Sequence, residues 1–217
     1  MRLQPVVGAA VLGYLIGTFP TADLVAARVS GGAVDLRTSG TGNPGGANAL
    51  KVLGAKAGAM VMAGDVAKGA LASGVGALVA GPAGAHLAGT ASVVGHCFPV
   101  WTGFRGGKGV AASVGQCLAT FPAYFPIDMA VAAVTVSNPR WKQRAFTATI
   151  FSSAAWVLGA FVWWRRSWPN LWGPRPSFGL PLAAAASSAV IAYKFSAARL
   201  PAVASVSVAA PVVSVAP

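Results

Sequence analysis

Two stretches of the chain, residues 3–22 and residues 145–164, each run for twenty residues without a charged side chain. Twenty apolar residues in a helix span about 30 Å, which matches the hydrocarbon core of a bilayer. Only 9% of the residues are charged and 55% are hydrophobic, whereas soluble domains carry roughly a quarter charged residues. Water could not easily solvate the outside of a soluble fold with so few charges. The sequence therefore predicts an integral membrane protein.

Further apolar segments raise the predicted number of transmembrane helices to about seven, so the expected fold is an all-α membrane bundle. One of these segments, 129–139, has only eleven uncharged residues and is either a short span or a re-entrant segment. The others cover about residues 58–79, 83–100, 109–122 and 176–193. We expect residues 1–200 to form one polytopic domain. The Ala/Val/Ser/Pro-rich tail, residues 201–217, is expected to be poorly ordered.

The first segment follows Arg2 and so imitates a secretory signal peptide. It is twenty residues long and runs into TADLVAARV without a convincing cleavage site, so we expect a retained helix. Within it, Gly13 and Gly17 form a G-x-x-x-G pattern that would let a neighbouring helix approach closely. The pair Gly81-Pro82 predicts a break between the second and third segments.

Lysine and arginine outnumber the acids by 16 to 4, which gives a net charge of +12. No basic stripe with interleaved aromatic residues lies on a hydrophilic face, so this charge does not indicate a nucleic-acid partner. Basic loops on the cytoplasmic side of a membrane explain it better. With seven spans and an outside N-terminus, eleven cations fall inside and four outside. The inside set is Arg28, Arg37, Lys51, Lys56, Arg105, Lys108, Arg140, Lys142, Arg144, Lys194 and Arg199, and the outside set is Arg2, Arg165, Arg166 and Arg175.

Residues 40–45, GTGNPG, match the G-x-G-x-x-G pattern of dinucleotide-binding folds, and Asp65 lies twenty residues beyond them. That fold needs a strand before the glycines and an acid at the end of the next strand. Asp65 instead lies in a long apolar segment, with Lys68 one helical turn away on the same face. A P-loop is excluded as well, because Thr102 and Gly109 stand where GFRGGKG would need Gly and Ser or Thr.

Two glycine-rich loops nevertheless face the same side of the predicted bundle. Glycines let backbone N–H groups approach an anion, and neighbouring Lys or Arg side chains supply charge. Two such loops on one face favour a phosphate-bearing substrate. The alternative is that the glycines only form tight turns and the lysines only follow the positive-inside bias. The polar side chains of the first loop are Thr41, Asn43, Asn48 and Lys51, and those of the second are His96, Arg105 and Lys108.

Other reactive side chains carry weaker signals. Cys97 and Cys117 have neither C-x-x-C spacing nor a partner His at a metal-ligand interval, so we expect two reduced, membrane-embedded thiols. His86, in mid-segment among apolar residues, is expected to be structural. Asp65 and Lys68 form either a structural ion pair or a wall of the site.

Three long motifs carry a resemblance to a known family. They are GTGNPGGANALKVLGAKAG followed by DVAKG, GHCFPVWTGFRGGKGVA, and the opening LGYLIGTFPTADLVAA. Over roughly residues 10–120 the chain resembles the bacterial membrane glycerol-3-phosphate acyltransferases that use acyl-phosphate, the PlsY family. The resemblance implies a seven-helix bundle in the bacterial inner membrane, with the glycine-rich loops facing the cytoplasm. It also implies a reaction in phospholipid synthesis, in which an acyl group moves from acyl-phosphate to the 1-hydroxyl of glycerol 3-phosphate. The products are lysophosphatidic acid and phosphate, with no metal or nucleotide required.

From this resemblance we expect the phosphoryl group of the donor to lie between the two loops, with Lys51 holding the phosphate of the acceptor. Thr41, Lys108 and His96 are the expected catalytic residues. Thr41 is either a donor to phosphate or a nucleophile, and His96 is either a base or a packed histidine. The expected substrate-binding residues are Gly42, Asn43, Gly45, Gly46, Asn48, Lys51, Arg105, Gly106, Gly107 and Lys108.

The chain also departs from the family pattern. Thr41 replaces Ser, Lys51 replaces Arg, and Gly46-Ala47 replaces Ala-Thr. In the third motif, which reads like HRENIKRL in the family, YKFSAARL places Tyr193 and Ser196 at the His and Asn positions. Three alternatives therefore stay open besides the family reaction with glycerol 3-phosphate. The first is a different acceptor, and the second is a non-catalytic subunit or scaffold with protein partners in a membrane complex. The third is a small transporter of an anionic solute.

Overall fold

A computed structural model of the protein describes residues 3–141 and 143–198. Within these ranges all regular structure is helical, which confirms the predicted all-α class. The helices are α1 (Leu3–Gly17), α2 (Thr21–Ser30), α3 (Gly46–Leu53), α4 (Ala55–Cys97), α5 (Val110–Thr120), α6 (Phe125–Ser137), α7 (Arg144–Arg166) and α8 (Gly179–Ala197), with a 3₁₀ turn at Val100–Thr102. The predicted poorly ordered tail, residues 201–217, lies outside the described residues, as do Arg2, Lys142 and Arg199.

Each of the seven predicted spans coincides with a helix or with one half of α4. Among the described residues, four stretches are long and apolar enough to cross a bilayer: Leu3–Ser30, Ala55–Thr102, Arg144–Arg166 and Gly179–Ala197. Helices α5 and α6 have only 11 and 13 residues, so each covers about 16–20 Å, short of the roughly 30 Å hydrocarbon core. The short fifth segment predicted from the sequence is therefore accompanied by a short fourth.

Helix α4 is broken where the sequence predicted a break. Gly81 adopts φ 63° and ψ −152°, a conformation open mainly to glycine, and Pro82 lacks the N–H that would continue the helical ladder. The two halves then fold back on each other. A Cβ at Gly76 would overlap the carbonyl oxygen of Gly84, and a Cβ at Gly84 would overlap that of Gly76. Helix α4 therefore consists of two helical segments that pack side by side.

The G-x-x-x-G pattern of α1 lies against the second half of α4. A Cβ at Gly13 would collide with the backbone of Ala88, and one at Gly17 with the backbone of Ser92. The close approach predicted for this pattern is confirmed. It also holds the end of α1 beside the last turns of α4, after which the second glycine-rich loop begins.

A buried polar network fastens α8 to α4 and α5. Ser187 Oγ donates to Gln116 Oε1 at 2.7 Å, and Gln116 Nε2 donates to Thr90 Oγ1 at 3.2 Å. Polar groups surrounded by hydrocarbon need such partners because no water can replace them. By contrast, Leu78 and Val134 are 89% and 74% exposed, as expected for a surface that faces lipid tails. The network fixes the middle of α8, and Ile191 and Phe195 near its C-terminal end contact Gly109 and Lys108 of the second glycine-rich loop.

Candidate functional site

The first glycine-rich loop, residues 31–45, is organised by one side chain. Asn48, which is only 2% exposed, accepts from the backbone N–H of Thr41 at 2.8 Å. Its amide nitrogen donates to the carbonyl oxygens of Leu36 at 3.0 Å and Ser39 at 2.9 Å. Because both ends of the amide are engaged with the loop backbone, Asn48 shapes the loop from beneath. Asn48, which was expected to bind substrate, instead stabilises the conformation of the loop.

Replacing Asn48 with alanine should remove all three hydrogen bonds and loosen the first loop. Leaving buried backbone groups unpaired costs about 1–3 kcal/mol, so we expect lower thermal stability in detergent micelles and at least a tenfold loss of turnover. Asn138→Ala, which removes an amide from a different loop, is the matched control. Equal stability and turnover for the two variants would contradict the role given to Asn48.

The open side of the first loop presents the remaining polar groups. The side chain of Thr41 is exposed and that of Asn43 is half-buried, while helix α3 begins directly after them at Gly46. The first N–H groups of a helix have no acceptor within it, so this end of α3 favours an anion. Gly46 must be small, because a Cβ there would overlap the side chain of Met62 and lie 3.1 Å from the carbonyl oxygen of Gly58.

The glycines of the second loop, residues 98–109, close the end of α4. Gly106 N–H donates to the carbonyl oxygen of Cys97 at 3.2 Å, and Gly107 N–H donates to that of His96 at 3.1 Å. These bonds satisfy carbonyls that a helix end leaves without partners. The expectation that both N–H groups are available to cradle a phosphate is therefore corrected. Gly107 is buried beside the first loop, since a Cβ there would lie 3.1 Å from the carbonyl oxygen of Pro44.

Arg37 joins the two loops, a role that its place in the sequence does not indicate. Its guanidinium forms a two-pronged ion pair with Asp23 of α2, and its Nε donates to the carbonyl oxygen of Arg105 at 2.9 Å. Bidentate pairing of this kind fixes geometry as well as charge. Its partners, Asp23 and Arg105, are 14 and 68 residues away in the sequence. The role of Arg37 is therefore seen only in the folded structure.

Beneath the loops lies a buried cluster of Asp65, Lys68 and His96. Lys68 Nζ is 2.8 Å from Asp65 Oδ1 and donates to the carbonyl oxygen of Phe19 at 3.2 Å. Nδ1 of His96 is 3.4 Å from the same carboxylate oxygen, and its Nε2 lies against Gly107. The adjoining cavity has a volume of about 30 Å³, room for only one or two water molecules. The cluster therefore clamps the α1–α2 junction to α4 and to the second loop.

Lys108 points away from this cluster. Its ammonium lies 4.3 Å from the centre of the Phe195 ring on α8, and it lines a second cavity of about 280 Å³. The other described residues around this cavity are Gln143, Arg144, Ala145, Phe146, Phe195 and Ala198. The structure thus divides the predicted site into two regions, one at the first loop and one at Lys108.

The last expected binding residues lie on the outside of the loops. Lys51 is exposed on the last turn of α3, and Arg105 is exposed in the second loop. Of the residues at altered third-motif positions, Ser196 donates to the carbonyl oxygen of Ala192 in its own helix at 2.9 Å. Tyr193 is 61% exposed, and its ring lies 6.1 Å from that of Phe98. Neither lines the cavity at Lys108.

The described residues include both cysteines and the candidate metal ligands. Cys97 and Cys117 are buried free thiols, which confirms the expectation for both. In residues 3–141 and 143–198, no cluster of three or more His, Cys, Asp or Glu side chains is arranged to hold a metal ion.

Comparison with known proteins covers nearly the whole chain. The family model described as glycerol-3-phosphate acyltransferase matches residues 7–210. Among curated relatives, the glycerol-3-phosphate acyltransferase of Exiguobacterium sibiricum is 47% identical over 55% of this chain and 57% of its own length. That of Geobacillus kaustophilus is 44% identical over 68% of this chain and 74% of its own length.

Solved structures agree with the sequence relatives. A crystal structure of PlsY (YgiH), an integral membrane glycerol 3-phosphate acyltransferase, in its glycerol 3-phosphate form, superposes with a TM-score of 0.71. That match covers 88% of each chain at 27% identity. The lysophosphatidic acid form of the same protein gives a TM-score of 0.69 at 26% identity. The similarity therefore extends beyond residue 120, where the recognisable sequence motifs end.

Proposed function

Because the chain belongs to the glycerol-3-phosphate acyltransferase family, we propose that it moves a fatty acyl group from acyl-phosphate to the 1-hydroxyl of glycerol 3-phosphate. The products are lysophosphatidic acid and phosphate. The observation that carries the proposal is the joining of two glycine-rich loops through Arg37 at one end of an apolar helical bundle. An arrangement of this kind suits a phosphate-bearing substrate that meets an acyl chain at a membrane surface.

We place the loops at the cytoplasmic face of a bacterial inner membrane. Most of the cations in the described ranges lie in these two loops, in the loop before α7 or near helix ends on the same side, as the positive-inside bias predicts. Trp163, Trp164, Arg165 and Arg166 end α7, and paired tryptophans of this kind are typical of a membrane interface. We assign them to the opposite face.

The phosphoryl group of the donor is assigned to the open side of the first loop. Thr41 contributes its hydroxyl, Asn43 its amide, and the start of α3 its first N–H groups. Lys51 lies five residues into α3 from Gly46, about 7.5 Å along the axis, so its long side chain can approach the same group. Asn48 acts indirectly, by holding Thr41 in place.

The acceptor's phosphate is assigned to the cavity at Lys108, in place of the contact with Lys51 expected from the sequence, because Lys51 does not line that cavity. The 1-hydroxyl oxygen then attacks the carbonyl carbon of the donor, and the bond from that carbon to the phosphate oxygen breaks. The leaving phosphate keeps the electron pair and takes the hydroxyl proton. Cations fixed around the two phosphates stabilise the charge that develops, which is the largest single contribution in many acyl transfers.

His96 is assigned a positioning role. A base would have to direct one ring nitrogen at the attacking hydroxyl, whereas Nδ1 faces Asp65 and Nε2 faces Gly107. Of the two alternatives for His96, the geometry favours the packed histidine. Thr41 is likewise a donor to phosphate, because among the described residues no basic side chain is hydrogen-bonded to its hydroxyl to make it a nucleophile.

The decisive experiment measures phosphate release from palmitoyl-phosphate by the purified protein. We expect release that depends on added glycerol 3-phosphate, with lysophosphatidic acid formed in equal amount. Release without any acceptor would indicate hydrolysis instead. An absence of turnover with every polyol phosphate tested would overturn the enzymatic proposal.

One observation favours a variant of this function. Tyr193 and Ser196, which stand at third-motif positions, make no contact with the cavity at Lys108. The family has His and Asn at these positions, so the contacts that those side chains make are lost here. An acceptor other than glycerol 3-phosphate would be the better substrate if those contacts select glycerol 3-phosphate. A panel of small phosphorylated alcohols, compared by kcat/KM, tests this, and a non-catalytic subunit would turn over none of them.

A further inference from the structure

The cavity at Lys108 is lined by a second cation that lies outside the sequence motifs. It occupies about 280 Å³ and is lined by two cations, Lys108 and Arg144, which come from different parts of the chain. None of the described residues that line it is acidic. A concave site with two positive side chains and no described carboxylate selects an anion.

Among the described residues, the C-terminal part of the chain gives this cavity apolar surface. Phe195 of α8 and Ala198, just beyond that helix, line it, and the Phe195 ring packs against that of Phe146 on α7 with 5.8 Å between centres. The same Phe195 ring holds the Lys108 ammonium at 4.3 Å, within cation–π range. The Phe195 ring therefore orients Lys108, and the second charge among the described lining residues comes from another element.

Arg144 is the described residue that meets this need. It is the first residue of α7, directly preceded by Gln143, which also lines the cavity. A guanidinium presents a planar fork of donors that suits a phosphate, whereas an ammonium acts as a point charge. The pair Lys108 and Arg144 thus combines both kinds of contact around one space.

We propose that Arg144 is a second phosphate-binding residue, which with Lys108 holds the phosphate monoester of the acceptor in this cavity. The proposal rests on the proposed acyltransferase function and deepens it. It gives α7 the anion-binding task that Tyr193 and Ser196 of α8 do not perform in this chain. Arg144 acts on affinity for the acceptor and not on the acyl transfer step.

The test compares Arg144→Gln with Arg140→Gln. Arg140 is exposed in the preceding loop and does not line the cavity, so it controls for lost charge near the same helix. We expect Arg144→Gln to raise KM for glycerol 3-phosphate by about tenfold to a hundredfold, the effect of losing one charged hydrogen-bonding group. The kcat, and the KM for palmitoyl-phosphate, should each stay within about threefold of the parent protein. Arg140→Gln should change none of these values.

Arg144→Lys keeps the charge without the fork and should recover part of the acceptor affinity. Thermal unfolding of every variant separates a binding effect from lost folding, and Arg144→Lys serves if Arg144→Gln does not fold. Equal KM values for the Gln variants at positions 144 and 140 would overturn the assignment of Arg144.

Calorimetric titration with glycerol 3-phosphate keeps the two proposals distinguishable. If the parent protein shows no turnover, the acyltransferase function fails, but weaker binding by Arg144→Gln than by Arg140→Gln still supports the anion site. If the parent turns over and binding is unaffected by Arg144→Gln, the site fails and the function stands.

Discussion

Replacing Asp65 with asparagine is expected to destabilise the protein more than any other single polar substitution in the bundle. The carboxylate is buried and is contacted by both Lys68 at 2.8 Å and His96 at 3.4 Å. The substitution leaves the Lys68 ammonium buried without a carboxylate to balance its charge, while its hydrogen bond to the carbonyl oxygen of Phe19 remains. Breaking a buried ion pair by removing one member costs about 3–5 kcal/mol, a large share of the roughly 5–15 kcal/mol that holds a typical protein folded.

The measurement is the SDS-induced unfolding transition in mixed micelles. A double variant, Asp65→Asn with Lys68→Met, removes both charges and should recover most of the lost stability, because a neutral packed pair is often as stable as the buried ions. Lys56→Gln, an exposed change in the first turn of α4, should have almost no effect. An Asp65→Asn protein as stable as the parent would show that the clamp beneath the loops does not support the fold.

Hydropathy predicted the helices well because a segment surrounded by lipid must form all of its backbone hydrogen bonds within itself, which favours a helix. The break at Gly81-Pro82 and the close approach at Gly13 and Gly17 also followed from local chemistry. The boundaries were less predictable. Residues 3–22 read as one span, but α1 ends at Gly17 and α2 begins at Thr21, because Pro20 has no N–H and restricts the residue before it.

The site was predictable in its loops but not in its contacts. The sequence identified both glycine-rich loops, and the structure brings them together. It could not show that Asn48 faces the loop backbone, or that Gly106 and Gly107 donate to the end of α4. Those outcomes depend on which groups a folded loop leaves without partners. Glycine spacing alone cannot distinguish a loop that binds phosphate from one that closes a helix.

Contacts between distant segments were the main omission. Arg37 was counted as one cation among eleven, and Arg144 as another, yet each has a specific position in the structure. A charge count predicts topology, because the positive-inside bias depends on numbers. It says nothing about which cations converge, because that is decided by tertiary packing of elements that are far apart in the sequence.

Replacing Lys108 with alanine is expected to have the largest effect on catalysis. The ammonium of Lys108 lies against the Phe195 ring in the wall of the cavity, and the preceding residue, Gly107, packs against the first loop at Pro44. Because Lys108 lines the acceptor cavity and directly follows a residue that packs on the first loop, we propose that its charge acts on both phosphates during the transfer. Removing one fixed donor at a reacting centre lowers turnover by about a hundredfold to a thousandfold, so kcat/KM should fall by at least that factor.

Three comparisons make this result specific to Lys108. Lys108→Arg keeps the charge and should retain more activity than Lys108→Ala, while Lys56→Ala, an exposed change on α4, should match the parent protein. The kinetic parameter that changes, kcat or KM, distinguishes the roles of Lys108 and Arg144. Loss of Lys108 should lower kcat as well as raise KM for the acceptor, whereas loss of Arg144 should act on KM alone. A Lys108→Ala protein with unchanged kcat would place the reacting carbonyl away from this cavity and leave the first loop as the sole centre of the chemistry.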